Sequence, residues 1–313
     1  MQKKGHHMTQ TVLILGASGH FGSQAARAFA AAGWVVKPFQ RGTDMTAAAM
    51  GADLIVNALN PPSYHAWDRL IPQITAQVIA AGLASGATVL VPGNVYVYGD
   101  QPGPWGPNTP HRPVARKGTI RAQMEADYRA ATDRGLRVIL LRGGDFIDPA
   151  SPKSFWNMVA LKSIAKGRIT NACAPGTTRA YAYLPDMARA AVALTDRRAT
   201  LPDFADIPFA GHALRFEDIA DHLERLSGQK MRLTPFMWWF MRLASPFWEL
   251  ARELSEMRYL FNTSHSLDPA PLAALLPDFR PTPLDDVLRA ELAALAPNLL
   301  TPQGRSISAQ TGR

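Results

Sequence analysis

The chain has a single cysteine, Cys173, in 313 residues. One thiol excludes an internal disulfide and fits a reducing compartment, so a cytoplasmic protein is expected. No His or Asp neighbours Cys173 in sequence, so it reads as a small packed residue rather than a nucleophile. Mean hydropathy is −0.08. No apolar run approaches the length of about 20 residues that a transmembrane helix needs, which argues against a span. The opening MQKKGHHM is charged but lacks the apolar segment of a secretory signal. Residues 1–10 are expected to be a disordered segment or a tag remnant, with Met8 as the natural start. No Cys/His spacing points to a metal, and no Gly-x-Ser-x-Gly points to a hydrolase. The 33 basic residues exceed the 25 acidic ones, a net charge of +8, but they are scattered, with ARKGTIR (115–121) the densest group. Without a basic stripe interleaved with aromatics, the charge favours anionic small molecules over nucleic acid.

What is present is alternation. TVLIL (11–15), WVVKPF (34–39), ADLIVNAL (52–59), ATVLVPG (87–93) and LRVILLRGG (136–144) read as apolar strands. Alanine-rich or amphipathic segments at 23–33, 64–81 and 116–132 read as helices between them. Repeated β-α-β units of this kind predict a doubly wound parallel sheet covered on both faces. Only QRGTDMTAAAMG separates Phe39 from Ala52. One crossover takes up about 10–12 residues, and this segment has room for one and not two. The sheet is therefore expected to lack its outer third strand or to reduce it to a bridge near Thr43. The chain divides into a dinucleotide-binding domain over 11–150 and a mainly helical substrate lobe over 151–313, with a return to the first domain around 179–210. In the lobe, 151–167 reads as a helix with Ser151 as N-cap and Pro152 at N1. The aromatic-rich stretch 230–261 reads as a lid or core helix facing a substrate or a second subunit in a homodimer, in preference to a membrane.

The stretch VLILGASGHFG places Gly16, Gly19 and Gly22 between a strand and a helix. Gly16 permits the tight turn, Gly19 lets backbone N–H groups approach a pyrophosphate, and Gly22 lets the helix pack on the sheet. Ala17, Ser18, His20 and Phe21 complete this cradle. An acid about 20 residues onward normally accepts the ribose 2′-hydroxyl. Here that region holds Gln40, followed by Arg41. No carboxylate repels a 2′-phosphate and a guanidinium can pair with it, which favours NADP while leaving NAD as the second choice. Arg41 also reads, more plainly, as a solvated loop charge.

GASGHFG, VPGNVYVYGD (91–100), VILLRGGDFIDP (138–149) and RAYAYLPDMARA (179–190) together resemble motifs of the extended, atypical short-chain dehydrogenases/reductases, the NAD(P)-dependent epimerase/dehydratase group. The resemblance spans residues 12 to about 195. It implies a Rossmann-type fold, a small C-terminal substrate lobe and cofactor contact from Ala58, Leu59 and Asn60 in the loop NALNPP. It also implies a catalytic Tyr-x-x-x-Lys pair with a Ser or Thr. Aligned on Val97-Tyr98-Gly99 and Glu125, the chain has Asn94 at the Ser/Thr position, Lys117 at the Tyr position and Arg121 at the Lys position. All three catalytic positions differ.

Arg121 can still donate to ribose hydroxyls, and Asn94 can orient a carbonyl without titrating. Lys117 is expected to act as acid/base, its ammonium destabilised by Arg121 one turn on and by burial. Tyr96 is the next candidate, on the same strand face as Asn94 if the strand persists. Two functions follow. One is an NAD(P)-dependent oxidoreductase or epimerase/dehydratase-like enzyme for a nucleotide sugar or another small polar carbonyl/alcohol compound. The other is a catalytically inactive NAD(P)-binding redox sensor.

Overall fold

The computed structural model describes residues 9–151 and 154–300. Residues 1–8 of the expected N-terminal extension and the Pro152 helix start lie outside the described residues. The chain opens on β1 (Thr11–Leu15), α1 (His20–Ala31) and β2 (Val35–Pro38), followed by the short α2 (Met45–Ala49) and β3 (Leu54–Asn57). Next come α3 (Trp67–Ser85), β4 (Thr88–Gly93), α4 (Arg116–Ala131) and β5 (Val138–Arg142). These strands, with β9 (Phe204–Pro208), form one parallel sheet in the order β2-β1-β3-β4-β5-β9. β3 pairs beside β1, and residues 40–51 contain no strand. In place of an outer strand stands α2, whose first turn is capped by Asp44 Oδ1 accepting from Thr46 and Ala47 N–H at 2.8 and 3.2 Å.

The period-two geometry of the strands decides both cores. Val12 and Ile14 of β1 face one layer, with Phe21 and Phe29 of α1 and with Met187 and Leu194 of α5 (Leu184–Asp196). Leu13 and Leu15 face the other, with Ile71 and Val78 of α3 and with Met124 and Tyr128 of α4.

Beyond β5, β6 (Asp145–Ile147), β8 (Arg179–Tyr183) and β10 (His212–Leu214) form a three-stranded sheet, while β7 (Arg168–Asn171) pairs with β11 (Arg232–Pro235). A separate core gathers Trp156, Tyr181, Ile219 and Leu223 of α6 (Phe216–Ser227), and Leu288 of α10 (Leu284–Leu295). The described part of 151–167 is a π-helical turn at Trp156–Ala160 and a 3-10 turn at Ile164–Lys166, not the single helix expected. Side chains take the place of a regular ladder there. Ser154 Oγ accepts from Asn157 N–H, and Asn157 Nδ2 donates to the carbonyls of Asp148 and Ser151. The aromatic stretch is likewise divided, into β11, α7 (Trp238–Ala244) and α8 (Glu249–Glu256), with Pro235 and Pro246 at the breaks. The short α9 (Ala270–Leu275) packs under β9 through Leu272.

Candidate active site

Gly16 has φ +80°, and a Cβ there would lie 2.8 Å from the Ala58 carbonyl oxygen. A Cβ on Gly22 would lie 2.1 Å from the Gly16 carbonyl oxygen. Both positions therefore exclude side chains, one by backbone conformation and both by contact. Gly19 is the N-cap of α1, and its own N–H donates to the Gly16 carbonyl at 2.9 Å. It thus closes the turn rather than offering that N–H outward. The first bond of α1 runs from Ser23 N–H to the Gly19 carbonyl, which leaves His20, Phe21 and Gly22 with N–H groups that no helical carbonyl accepts. No side chain caps this end and no acid lies in its first turn. An uncapped, acid-free helix start behind a glycine turn suits a phosphate. The His20 ring nitrogen Nδ1 is hydrogen-bonded to the Ser151 hydroxyl, and Gln24 donates to Asp148 at 2.8 Å, so α1 is tied to the loop after β6.

A cleft of about 650 Å³ runs beside β2 and is lined by Phe39, Arg41, Thr43, Leu59, Asn60 and Pro61, among others. Arg41 is exposed on its lining, whereas Gln40 is not among the residues that line it; the Gln40 carbonyl accepts from the Thr43 hydroxyl at 2.7 Å. Among the described residues Arg41 makes no ion pair. The Asp44 carboxylate in the same cleft is engaged as the cap of α2.

At the other end of Asn60, Arg121 donates to its Oδ1 at 2.8 Å and lies 4.7 Å over the Trp67 ring. Trp67 packs on Tyr96 at 6.5 Å, and the hydroxyls of Tyr96 and Tyr64 are 3.3 Å apart. The structure thus brings Asn60, Arg121 and Tyr96 together and adds Tyr64 and Trp67. Burial holds the Tyr96 phenol well above its ordinary pKa, and burial raises Tyr64 as well. Tyr64 and Ala66 adopt left-handed φ of 62° and 47°, a costly backbone for residues with a Cβ and one that clusters at functional sites.

Two expectations about the catalytic residues need correcting. β4 ends at Gly93, and Tyr96 lies in a 3-10 turn, Tyr96–Tyr98. Asn94 and Tyr96 are therefore not on one strand face; instead Asn94 Oδ1 accepts the Tyr96 N–H at 3.0 Å. Lys117 is fully buried, but its neighbours are acids. Its Nζ lies 2.6 Å from Glu256, is ion-paired with Glu253, and donates to the Glu253 carbonyl at 3.3 Å. The cation-cation repulsion expected from Arg121 is thus countered by two carboxylates from α8. Burial alone would raise the Glu253 carboxyl, but the hydrogen bond and charge of Lys117 hold it below the usual range.

Glu125 has a different partner. It grips the buried Arg142 through both oxygens at 3.0 and 2.8 Å, and Arg142 continues to Asp206 at 2.7 Å and to the Asn94 carbonyl at 2.6 Å. His111 stands 3.5 Å from Glu125. His111, Glu125 and Asp206 have the spacing of a metal-ligand set, but the Arg142 guanidinium already engages both carboxylates. A smaller cavity of about 150 Å³ includes His20, Asp145, Ser154, Phe155, Arg179 and Tyr181 in its lining. The Asp145–Arg179 ion pair at 2.7 Å is part of this lining, and the Asp145 charge is felt by both Tyr64 and Tyr96.

Tyr64, Trp67, Asp145, Arg179 and the two α8 acids escaped the sequence reading. Tyr64 ends a proline-bearing 3-10 turn and Trp67 opens α3, before any helical period is established, while Asp145, Arg179 and the two α8 acids lie far along the chain from both. The one available signal was the unusual NPPSYHAW loop.

Neither a protein-family model nor a curated protein sequence matches the chain. Solved structures do. MoeE5 in complex with UDP-glucose and NAD matches with a TM-score of 0.74 at 17% identity, over 92% of this chain and 99% of that one. UDP-glucuronic acid 4-epimerase from Bacillus cereus, bound to UDP-glucuronic acid and NAD, gives 0.75 at 16% over 91% and 99%. A nucleoside-diphosphate-sugar epimerase from Pseudomonas aeruginosa gives 0.70 at 18% over 94% and 100%. Over more than nine-tenths of its length, this chain has the Rossmann-type fold of the nucleotide-sugar epimerases.

Proposed function

We propose that the protein is an NAD(P)-dependent enzyme of the epimerase/dehydratase or oxidoreductase type. Its substrate is a nucleotide sugar or another small polar carbonyl/alcohol compound. The observation that carries this reading is the uncapped, acid-free start of α1 behind Gly16, opening beside the cleft that holds Arg41. The backbone of residues 16–22 would take the pyrophosphate, with Ala17 and Ser18 in the turn. Ala58 and Leu59 would border the cofactor as the wall of the glycine turn. Arg41, free of any acid partner among the described residues, favours NADP over NAD through a charge-assisted bond to the 2′-phosphate. Arg121, positioned by Asn60 and Trp67, would hold the nicotinamide ribose.

When bound, the dinucleotide supplies a hydride acceptor or donor. The chain itself supplies the proton at Tyr96. Its phenol stays protonated because burial opposes ionisation, so it acts as a hydrogen-bond donor and acid toward a substrate oxygen, with the Tyr64 hydroxyl as its partner. Asn94, whose Oδ1 is engaged by Tyr96 N–H, keeps its amide N–H groups for the substrate. Lys117 is a positioning residue in this reading, since its ammonium is engaged by Glu253 and Glu256. The test is a fluorescence titration with NADPH and NADH, followed by turnover assays on nucleotide sugars and simple carbonyl compounds. Tighter NADPH binding with hydride transfer or epimerisation is expected. Failure to bind either dinucleotide overturns the proposal.

The filled position of Lys117 supports a second reading, a redox sensor. NADPH binding with no turnover across the panel, and a conformational change at α8 on binding, would favour it over the enzyme.

A further inference from the structure

Six of the large apolar residues most exposed to solvent fall in one short segment, 237–248. Phe247 is 95% exposed, Leu243 69% and Trp239 67%, with Met237, Phe240 and Trp248 also exposed. The segment is firmly built on its inner side. Trp238 donates its indole N–H to the Ala172 carbonyl at 2.8 Å, and its ring packs on Phe236 at 4.8 Å and on Phe261 at 5.1 Å. α7 therefore holds one tryptophan inward and turns the next, Trp239, out. Phe247, almost fully exposed, projects from the turn between α7 and α8.

Charge is sorted in the same way. The one charged residue within 237–248 is Arg242, exposed and without an ion pair among the described residues. Of the acids that follow on α8, Glu253 is paired with Arg116 and Lys117 and Glu256 with Lys117, while the exposed Glu249 lies 3.2 Å from a ring nitrogen of His65, an ion pair only when that imidazole is protonated. Residues 237–248 thus present exposed aromatic and aliphatic side chains and one arginine, on a molecule of net charge +8.

We propose that the α7–α8 tip docks this protein on an anionic phospholipid surface. Trp and Phe at the interface, with Arg reaching lipid phosphates, are the composition of a segment that lies in the plane of a bilayer. No helix among the described residues is long and apolar enough to cross a membrane, so attachment would be peripheral. A second copy of the chain fits less well. A two-fold contact centred on this tip would bring the two Arg242 charges toward each other, and a protruding Phe247 would need a recess that the same patch does not offer.

The test is flotation of the full chain with vesicles of phosphatidylcholine alone and with added phosphatidylglycerol. Binding to the anionic vesicles at low salt is expected, weakening as salt rises, with a blue shift of tryptophan fluorescence and quenching by brominated lipid. Phe247→Ser with Trp239→Ser should weaken binding at least tenfold. The single change Arg242→Glu, fully on the surface, should weaken it about fivefold or more while leaving the thermal transition unchanged. Absence of flotation with anionic vesicles at low salt overturns the proposal. So does binding that is unaffected by all three changes, or a solution dimer abolished by them without any vesicle binding.

Discussion

Lys117 and Glu256 meet at 2.6 Å across 139 positions of sequence, joining α4 to α8. Glu253, one turn earlier on α8, is buried against the same ammonium. Lys117→Met strands Glu253 in the interface, and removing one member of a buried pair costs about 3–5 kcal/mol. The remaining Arg116–Glu253 bond at 3.0 Å places the loss at the lower end. Denaturant melts should show that loss, and Lys117→Met combined with Glu253→Leu should recover part of it. Unchanged stability in Lys117→Met would mean the clamp contributes nothing.

Glu253 makes this clamp pH-dependent. Its folded-state pKa lies below the unfolded value, so its contribution is complete above the ordinary glutamate pKa of about 4.3 and is lost as pH falls through the lowered value. Glu253→Gln should flatten that acid limb of stability.

Glu291 predicts the opposite sign. It is wholly buried on α10, both its oxygens lack hydrogen-bond partners among the described residues, and burial together with the Asp148 charge pushes it up to about 8. The folded state therefore favours the protonated acid, while the unfolded chain ionises near its ordinary value. Stability from this group falls as pH climbs from about 4.3 toward 8 and is fully lost above that. Glu291→Gln should raise the melting temperature at pH 8.5 more than at pH 5.5. An equal shift at both pH values would contradict the burial argument.

In the proposed function, the choice of NADP over NAD rests on Arg41. A charge-assisted bond is worth about 1.5–3 kcal/mol, so Arg41→Ala should weaken NADPH binding about tenfold or more and leave NADH nearly unchanged. Equal affinities of the unaltered protein for the two dinucleotides at low salt would remove the basis for NADP.

The glycine turn offers a clean contrast. Gly22→Ala drives a methyl to 2.1 Å from the Gly16 carbonyl and should abolish dinucleotide binding. Gly33 also has a positive φ, +83°, but open space around it. Gly33→Ala should cost only about 1–2 kcal/mol and leave binding intact.

Tyr96→Phe should reduce turnover by about 10²–10⁴ with little change in cofactor affinity. Because burial opposes ionisation of Tyr96, no rising rate limb from a tyrosinate should appear below about pH 10. A limb near neutrality that survives in Tyr96→Phe would assign the proton to another group.

The amino-acid sequence by itself determined the parallel sheet, its missing outer strand and the glycine turn. Each depends on neighbours close along the chain: apolar runs for buried strands, the short span between Phe39 and Ala52, and three glycines packed where a Cβ would meet backbone. The position of Arg41 on the cleft was legible for the same reason, since it follows β2 at a distance set by the β-α-β unit. Only the tertiary structure decided the environment of Lys117. From sequence its nearest charge on the same helix face was Arg121, one turn away, but Glu253 and Glu256 arrive from α8, more than 130 positions on. The pairing of Tyr64 with Tyr96 was equally hidden, because β4 ends at Gly93 and the left-handed backbone at Tyr64 follows no periodic pattern. A charge's surroundings are set by whichever groups packing brings within a few ångströms, and that information is spread over both lobes rather than carried by any one motif.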